Sequence, residues 1–244
     1  PVQSCFKALA PIQADGNLAE ESWQKCSRLP AFGKPNGMPS GDVVEAKVMR
    51  DESNLYFAVV CKDTDIVAGK AGHDGEAVDG DAIRILIDPR QNGLGVADFS
   101  VAISGTQSDR LVTGIGRDPD DAAFLEELKG LKMEKTGWDW EPVWKGAVSV
   151  QGTARRAEEA AADQDAGWTA EIAIPLASLP TPLFTAPAVG QTWRINIMVT
   201  SEGNGPAPGP TKRTLCLAPA LAPLTPDARW VPLTFDARKV DEKK

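Results

Sequence analysis

The sequence predicts an all-β protein: an antiparallel β-sandwich of two sheets with one or two short peripheral helices. Short segments in which apolar and polar residues alternate recur along the 244 residues, and turn-forming residues separate them. The chain contains 22 glycines and 19 prolines, which favours many turns over long helices. Hydrophobic residues make up 42% of the chain, enough for a sizeable core. We expect a single domain over residues 1–244, with a frayed charged tail at 238–244.

The segment at residues 80–89, GDAIRILIDP, shows the alternation most clearly. Its three isoleucines fall on one face of the predicted strand, whereas the opposite face carries Arg84 at its centre. Asp79 and Asp81 precede the strand, and Pro89 ends it because proline has no N–H to donate to a neighbouring strand. We therefore expect an interior strand that runs from an acidic loop to a sharp turn.

Four other segments alternate in the same way. Residues 43–49 and 55–62 flank a short polar turn, which is typical of a hairpin. Residues 168–174 and 193–199 each place apolar side chains on one parity. We predict a strand in each.

Two segments do not alternate and are expected at the periphery. Residues 118–133 carry apolar side chains at helical spacing after Asp120 or Asp121, either of which can cap a helix, so we predict a surface helix there. Residues 154–165, rich in alanine, arginine and glutamate, predict either a short helix or a mobile loop.

The charge balance excludes some classes of partner. The net charge is −8 and no basic stripe occurs, so phosphate neutralisation and nucleic-acid binding are not expected. The same charge disfavours an anionic membrane surface. No run of about 18 apolar residues occurs, so no membrane span is predicted. The chain starts at Pro1 rather than Met, and we expect a processed or trimmed product.

The four cysteines are widely spaced and form no CxxC or Cys/His cluster, which argues against a zinc site. A disulfide between Cys5 and Cys26 is the first pairing to consider, because it would staple the N-terminal arm. The alternative is that all four are free, buried thiols.

Seven segments, in order, carry a family resemblance: IQADGNLAEESWQK, DESNLYFAVVCKDTD, DGDAIRILIDP, DFSVAIS, GWTAEIAIPLASL, GQTWRINIMVT and RWVPLTFD. Together they span nearly the whole chain, and the chain resembles the family 9 carbohydrate-binding modules and their DOMON-like relatives. The resemblance implies a β-sandwich of two antiparallel sheets, of jelly-roll type, that binds sugars, sometimes binds calcium and does not catalyse a reaction.

The sequence departs from this family where the sugar is expected. Two family tryptophans sandwich a terminal sugar, and their positions fall near Val78 and in the 220–225 loop, neither of which has a tryptophan. The family's polar contacts would fall at Arg84 and Ser100, which also differ from the pattern. Trp230 takes the place of a phenylalanine that the resemblance assigns to the core.

A second aromatic platform lies in the segment GWDWEPVW. Trp138 and Trp140 share parity, so in an extended segment both would face the same way and could stack on a sugar. The alternative is that they cover the edge of the sandwich or pack under the 118–133 helix. Trp144 is assigned to the core.

Several aspartates could act beside this platform. Asp63 and Asp65 belong to an acidic segment that could supply oxygen ligands to calcium, although no EF-hand spacing occurs. Asp79 and Asp81, two residues apart, could point together into a ligand cleft. We therefore predict ligand contacts at Trp138, Trp140, Asp79, Asp81 and Arg84, a structural calcium ion as the one cofactor to consider, and no catalytic residue.

The function predicted is that of a non-catalytic carbohydrate-binding domain of an exported protein, whether secreted, periplasmic or on the cell surface. Its partner would be a glycan or another extracellular ligand stacked on exposed aromatic side chains. The alternative is a degenerate relative that serves as a protein-interaction or structural domain. An enzyme would need a cleft with two close carboxylates or a metal; the chain has one histidine, His73, and no GxSxG, HExxH or phosphate-loop motif.

Overall fold

The computed structural model describes residues 1–69, 80–131, 135–161, 164–180, 186–203, 212–220 and 224–242. These residues form mainly β-strands, as the sequence predicts. In chain order the elements are β1 (Gln3–Lys7), α1 (Glu21–Lys25), β2 (Val44–Arg50), β3 (Asn54–Cys61), β4 (Val67–Ala68), β5 (Ala82–Asp88), β6 (Gly95–Ala102), β7 (Gln107–Thr113), α2 (Ala122–Lys129), β8 (Lys145–Gln151), β9 (Arg155–Arg156), β10 (Gly167–Pro175), β11 (Thr192–Ser201), β12 (Arg213–Cys216) and β13 (Val231–Lys239).

One large mixed sheet, nearly closed into a barrel, replaces the two separate antiparallel sheets expected from the sequence. Within the described ranges its strand order is β7-β6-β5-β11-β13-β1-β2-β3-β10-β8, and β12 pairs with β11. The expectation of separate sheets is wrong because β1 pairs in parallel with both β13 and β2, so it joins the two layers. At the opposite side, the Gln107 amide of β7 exchanges hydrogen bonds with the Gly146 backbone of β8 at 3.3 and 3.4 Å.

The barrel interior is filled by the apolar faces of the strands. The isoleucines of β5 lie beside apolar residues of the neighbouring strand β11. They belong to the main core, together with Phe57 of β3 and Ile172 of β10. All of these side chains are buried. The alternation predicted for residues 80–89, 55–62, 168–174 and 193–199 is therefore confirmed.

A second apolar cluster lies outside the barrel, on the outer face of β2 and β3. Trp23 of α1 packs there with Met49 and Tyr56, and Val240 completes the cluster. Val240 is fully buried and its N–H donates to the Lys7 carbonyl at 2.9 Å. The frayed tail expected from residue 238 is therefore wrong as far as residue 242, because β13 reaches Lys239 and Val240 fills this outer cluster.

The buried carboxylate of Glu171 fastens the N-terminal segment to this outer face. It accepts hydrogen bonds from the Trp23 indole Nε1 at 2.6 Å and from the backbone N–H groups of Asp15 and Gly16 at 3.0 and 3.2 Å. Gly16 has φ +85°, and a Cβ there would lie 2.9 Å from the backbone nitrogen of Ser149, so only glycine fits this close approach. Burial raises the pKa of Glu171, although these three donors oppose the shift.

The peripheral predictions have mixed outcomes. The surface helix is confirmed as α2, and the Asp121 carboxylate caps it by accepting from the Ala123 N–H at 3.0 Å. In the 154–165 segment, Arg155–Arg156 instead form the short strand β9, which pairs with β4. All four cysteines are free and buried, so the Cys5–Cys26 disulfide is not formed. Burial raises the pKa of the Cys216 thiol to about 11.

We expect Trp23→Phe to destabilise the protein by roughly 1–3 kcal/mol more than Trp168→Phe, measured by urea unfolding. Both tryptophans are buried, and each substitution removes a similar ring volume. Trp23→Phe leaves Glu171 short of one donor, whereas the Trp168 indole N–H has no hydrogen-bond partner among the described residues. Equal losses of stability would show that the Glu171 contact contributes nothing beyond packing.

Candidate functional site

A polar patch lies on the outer face of β5, β6 and β7, which we call the arginine face and define by Arg84, Asp98, Arg110 and Trp138. The strand register pairs Asp98 of β6 with Arg110 of β7. It pairs Arg84 of β5 with Ser100, which lies two residues after Asp98 on the same face of β6. Successive side chains on a strand point to opposite faces. Arg84 lies between two core isoleucines, so its side chain points away from the core, as the sequence predicts. The three strands therefore bring two arginines to the same aspartate.

The Asp98 carboxylate binds both arginines. Arg84 donates through Nε to Oδ1 at 2.8 Å and through Nη2 to Oδ2 at 2.6 Å, and Arg110 donates through Nε to Oδ2 at 2.7 Å. The Asp98 side chain is 5% exposed, whereas those of Arg84 and Arg110 are 29% and 23% exposed. A buried carboxylate thus holds two partly exposed guanidinium groups in fixed positions.

Trp138 lies beside Arg110 because the residue before it, Gly137, pairs with Leu111 of β7. Gly137 and Leu111 exchange backbone hydrogen bonds at 2.8 and 3.0 Å, and the Arg110 guanidinium lies 4.7 Å from the centre of the Trp138 ring. Trp138 is half-buried, and the guanidinium covers one of its ring faces. Of the predicted ligand contacts, Arg84 and Trp138 are connected to each other through Asp98 and Arg110.

Trp140 lies on the other side of the sheet, so the predicted Trp138–Trp140 platform does not form. Its ring is 6% exposed and packs in the main core, with its centroid 5.5 Å from that of Phe99. The parity argument fails because residues 138 and 139 form a turn rather than an extended segment. Trp144 also packs on Phe99 and donates to Asp109 at 2.9 Å, in agreement with its assignment to the core.

The remainder of this outer face is apolar and covered. Leu86, Val96, Met198 and Cys216 form a buried cluster, and Trp230 packs against it from the 224–230 loop. Trp230 is half-buried, and the Arg194 guanidinium lies 4.8 Å from its ring centre. It therefore packs against an apolar core cluster, as the resemblance implies for this position, although this cluster lies outside the barrel interior.

A cavity of about 470 Å³ opens beside the same loop, a volume within the usual range for small ligands. It includes Ala220 and Thr225, where the family resemblance places one of the two sugar-stacking tryptophans. No aromatic side chain lines it within the described ranges, so it offers no stacking surface. Its lining is Pro35, Asn36, Gly37, Pro219, Ala220, Thr225, Asp227, Ala228 and Arg229.

Asp81 has a structural position rather than an exposed one. Its side chain is fully buried at the start of β5, and its oxygens accept from the backbone N–H groups of Val67 at 3.0 Å and Glu202 at 2.6 Å. Burial raises the pKa of Asp81 to about 7, although these two hydrogen bonds oppose the shift. Asp81 therefore offers no free surface to a ligand, and Asp79, its predicted companion, lies outside the described residues.

Asp63 and Asp65 are engaged by other side chains near the same end of the barrel. Asp65 forms a two-fold ion pair with the Arg155 guanidinium, and Asp63 accepts from the Ser201 hydroxyl at 2.7 Å. In the described part of the chain no group of three or more His, Cys, Asp or Glu side chains is placed to hold a metal ion. Calcium would have to displace Arg155, so the calcium site stays a prediction that this arrangement does not favour.

Sequence reasoning missed Asp98 and Arg110. Both lie in alternating segments, DFSVAIS and QSDRLVT, at positions that face away from the core, so the pattern indicated their face. The signal that they belong with Arg84 is the strand pairing itself. The described residues contain no helix long and apolar enough to cross a membrane.

The comparisons with known proteins agree at the level of the fold. No protein-family model and no curated protein sequence matches the chain. Among solved structures, a Bacteroides uniformis protein to which carbohydrate binding has been ascribed superposes with a TM-score of 0.60 at 13% identity, covering 96% of this chain and 99% of its own.

A family 9 carbohydrate-binding module from Caldicellulosiruptor kristjanssonii gives similar results in two complexes. In complex with glucose it has a TM-score of 0.57 at 12% identity and covers 97% of both chains. In complex with cellotriose it has a TM-score of 0.55 at 11% identity, covering 99% of this chain and 98% of its own. The resemblance read from the sequence is thus confirmed as a shared fold over the whole chain.

We expect the raised pKa of Asp81 to make stability fall as pH rises from about 4 to 7. Above pH 3.8 the Asp81 carboxyl loses its proton in the unfolded protein but keeps it in the folded protein until about pH 7. The resulting stabilisation is therefore complete below about pH 4 and is lost as the pH rises through 7. Urea unfolding should show wild type losing up to about 4 kcal/mol relative to Asp81→Asn between pH 4 and pH 8.

Asp236→Asn serves as the control for this measurement. A hydrogen bond from Arg238 lowers the pKa of Asp236 from 3.8 to about 2, so both its folded and its unfolded pKa lie below pH 4, and the substitution should leave the slope between pH 5 and 8 unchanged. If the difference in unfolding free energy between wild type and Asp81→Asn does not change between pH 4 and 8, Asp81 ionises normally.

Proposed function

We propose that this protein is a carbohydrate-binding domain whose ligand lies on the arginine face. The observation that carries the proposal is the linked set of Trp138, Arg110 and Arg84 on one partly exposed surface. Sugar recognition needs an aromatic ring for the apolar side of a pyranose and oriented polar groups for its hydroxyls, and this face supplies both.

The fold supports the proposal independently of the side chains. Two of the similar structures hold glucose or cellotriose, and the similarity extends over nearly the full length of both chains. We propose that this protein binds a ligand of the same chemical class through a different set of side chains. The sequence carries no tryptophan at the two positions where family 9 modules sandwich a sugar.

We propose further that the domain binds without catalysis and acts outside the cell or in the periplasm, where polymeric glycans are met. Hydrolysis of a glycosidic bond generally uses two carboxyl groups on either side of that bond. On the arginine face, Asp98 is almost completely buried and already accepts three hydrogen bonds from arginines. It is therefore poorly placed to act as an acid or a base on a bound sugar.

The test is isothermal titration calorimetry with a panel of mono- and oligosaccharides that includes glucose and cellotriose. Trp138→Ala should weaken binding of any sugar that wild type binds by at least about fivefold, because a stacked ring contributes about 1 kcal/mol. Trp140 is best left intact, since truncating a buried tryptophan costs roughly 3–5 kcal/mol of stability.

Trp230→Ala is the matched comparison, since Trp230 is also half-buried beneath an arginine. We expect it to leave the affinity for sugar within about twofold of wild type. Loss of binding in Trp230→Ala but not in Trp138→Ala would move the site to the 224–230 loop. No binding of any sugar by wild type would favour the alternative of an interaction or structural domain.

A further inference from the structure

The charge of the arginine face is positive although the protein as a whole is acidic. Arg84 and Arg110 contribute two positive charges and Asp98 one negative charge, which leaves +1 on this surface. The net charge of −8 is spread over the whole chain, and acidic groups farther away than a Debye length of about 8 Å are largely screened at physiological salt. Among the four residues that define the face, the two guanidinium groups therefore outweigh the one carboxylate, although the exposed Asp139 follows Trp138 in the chain.

The two arginines of the face offer only hydrogen-bond donors, and the partly exposed Ser100 beside Arg84 adds a hydroxyl that can donate or accept. Arg84 uses Nε and Nη2 to hold Asp98, and Arg110 uses Nε, so the Nη1 group of Arg84 and both Nη groups of Arg110 make no hydrogen bond to a described residue, and the two side chains are 29% and 23% exposed. Within the described ranges neither arginine pairs with a second carboxylate. Asp98 is too deeply buried to accept readily from a ligand hydroxyl.

This pattern favours an anion over a neutral sugar. A hydroxyl of a neutral sugar both donates and accepts, so part of its hydrogen-bonding capacity would go unused on a surface made mainly of donors. A carboxylate or sulfate accepts only, and guanidinium binds it through charge-assisted hydrogen bonds that are roughly twice as strong as neutral ones. The planar fork of arginine also matches the geometry of two oxygens on one acidic group.

We propose that the ligand of this face is an acidic sugar, with its carboxylate or sulfate on Arg84 and Arg110 and its ring against Trp138. This inference rests on the proposed function and specifies its ligand class. The positions of the two arginines are set by Asp98, so the anion binds a site whose charge is already oriented before the ligand arrives.

The test compares a sugar with and without its charge on the same ring. Trigalacturonate and its methyl ester are titrated into the protein by calorimetry at low salt and pH 7. We expect the acid to bind at least about tenfold more tightly than the ester, and this advantage should shrink in high salt. A sulfated galactose trisaccharide, titrated beside its unsulfated form, distinguishes sulfate from carboxylate as the anion.

Two variants locate the anion on the arginines. Arg110→Gln should reduce affinity for the acid about tenfold and for the ester about twofold or less, since Asp98 keeps its two hydrogen bonds to Arg84. Asp98→Asn changes the charge of the face from +1 to +2 but removes the carboxylate that orients both arginines, so we expect the acid to bind more weakly than to wild type. Urea unfolding checks that this second variant is folded; if it is not, Arg110→Gln carries the test.

Arg117→Gln is the matched control. The Arg117 side chain is 25% exposed, pairs with Glu127 and lies 5.3 Å from the centre of an aromatic ring, that of Phe124, but it is outside the arginine face. We expect it to leave the affinities for both the acid and the ester unchanged.

The outcomes separate this inference from the proposed function. If neutral sugars bind, with loss in Trp138→Ala, and neither the uronate nor the sulfated sugar binds more tightly than its uncharged form, the acidic-sugar inference fails while carbohydrate binding stands. If an acidic sugar binds selectively but Arg110→Gln has no effect, the anion lies elsewhere and the inference is overturned. If no sugar of either kind binds, both fail.

Discussion

The hydrogen bonds to the buried Glu171 carboxylate are the contact on which the outer layer of this protein depends. A charged group in the middle of β10 is stable only when donors reach it, and the donors are the Trp23 indole and two backbone N–H groups of the N-terminal segment. Meeting this requirement places residues 12–26 across the outside of β2 and β3. Those strands are consequently covered on both sides, with Met49 and Tyr56 buried beneath the segment.

The apolar cluster beneath this cover contains no residue of β5, β6 or β7, and the outer face of these three strands carries the arginine face. On these strands one end of the outer face is closed by an apolar cluster with Trp230, whereas the other end carries Arg84, Asp98 and Arg110. The Asp98 carboxylate orients both guanidinium groups and neutralises one of their two positive charges. The result is a fixed, donor-rich and positive surface next to Trp138, on an otherwise acidic protein.

Local patterns predicted the elements well, because their causes are local. Alternation of side chains has a period of two residues, so Ile83, Ile85 and Ile87 indicate both the strand and its buried face without reference to any neighbour. The cap at Asp121 is equally local, since a side chain three residues or fewer from the helix start satisfies a free N–H. The joining of the two layers by β1 was missed, because its partners β2 and β13 lie far apart in the chain.

The sequence by itself determined that the protein is all-β, which face of each strand is apolar, and that Arg84 points outward from the core. Only the tertiary structure decided what surrounds Arg84. Asp98 and Arg110 come to it through a strand register that depends on packing across the whole barrel. Trp138 and Trp140 are separated by a turn, and the turn is held by the pairing of Gly137 with Leu111, a contact between residues 26 positions apart. A binding surface assembled from three strands and a loop follows from these long-range contacts, and no local pattern contains them.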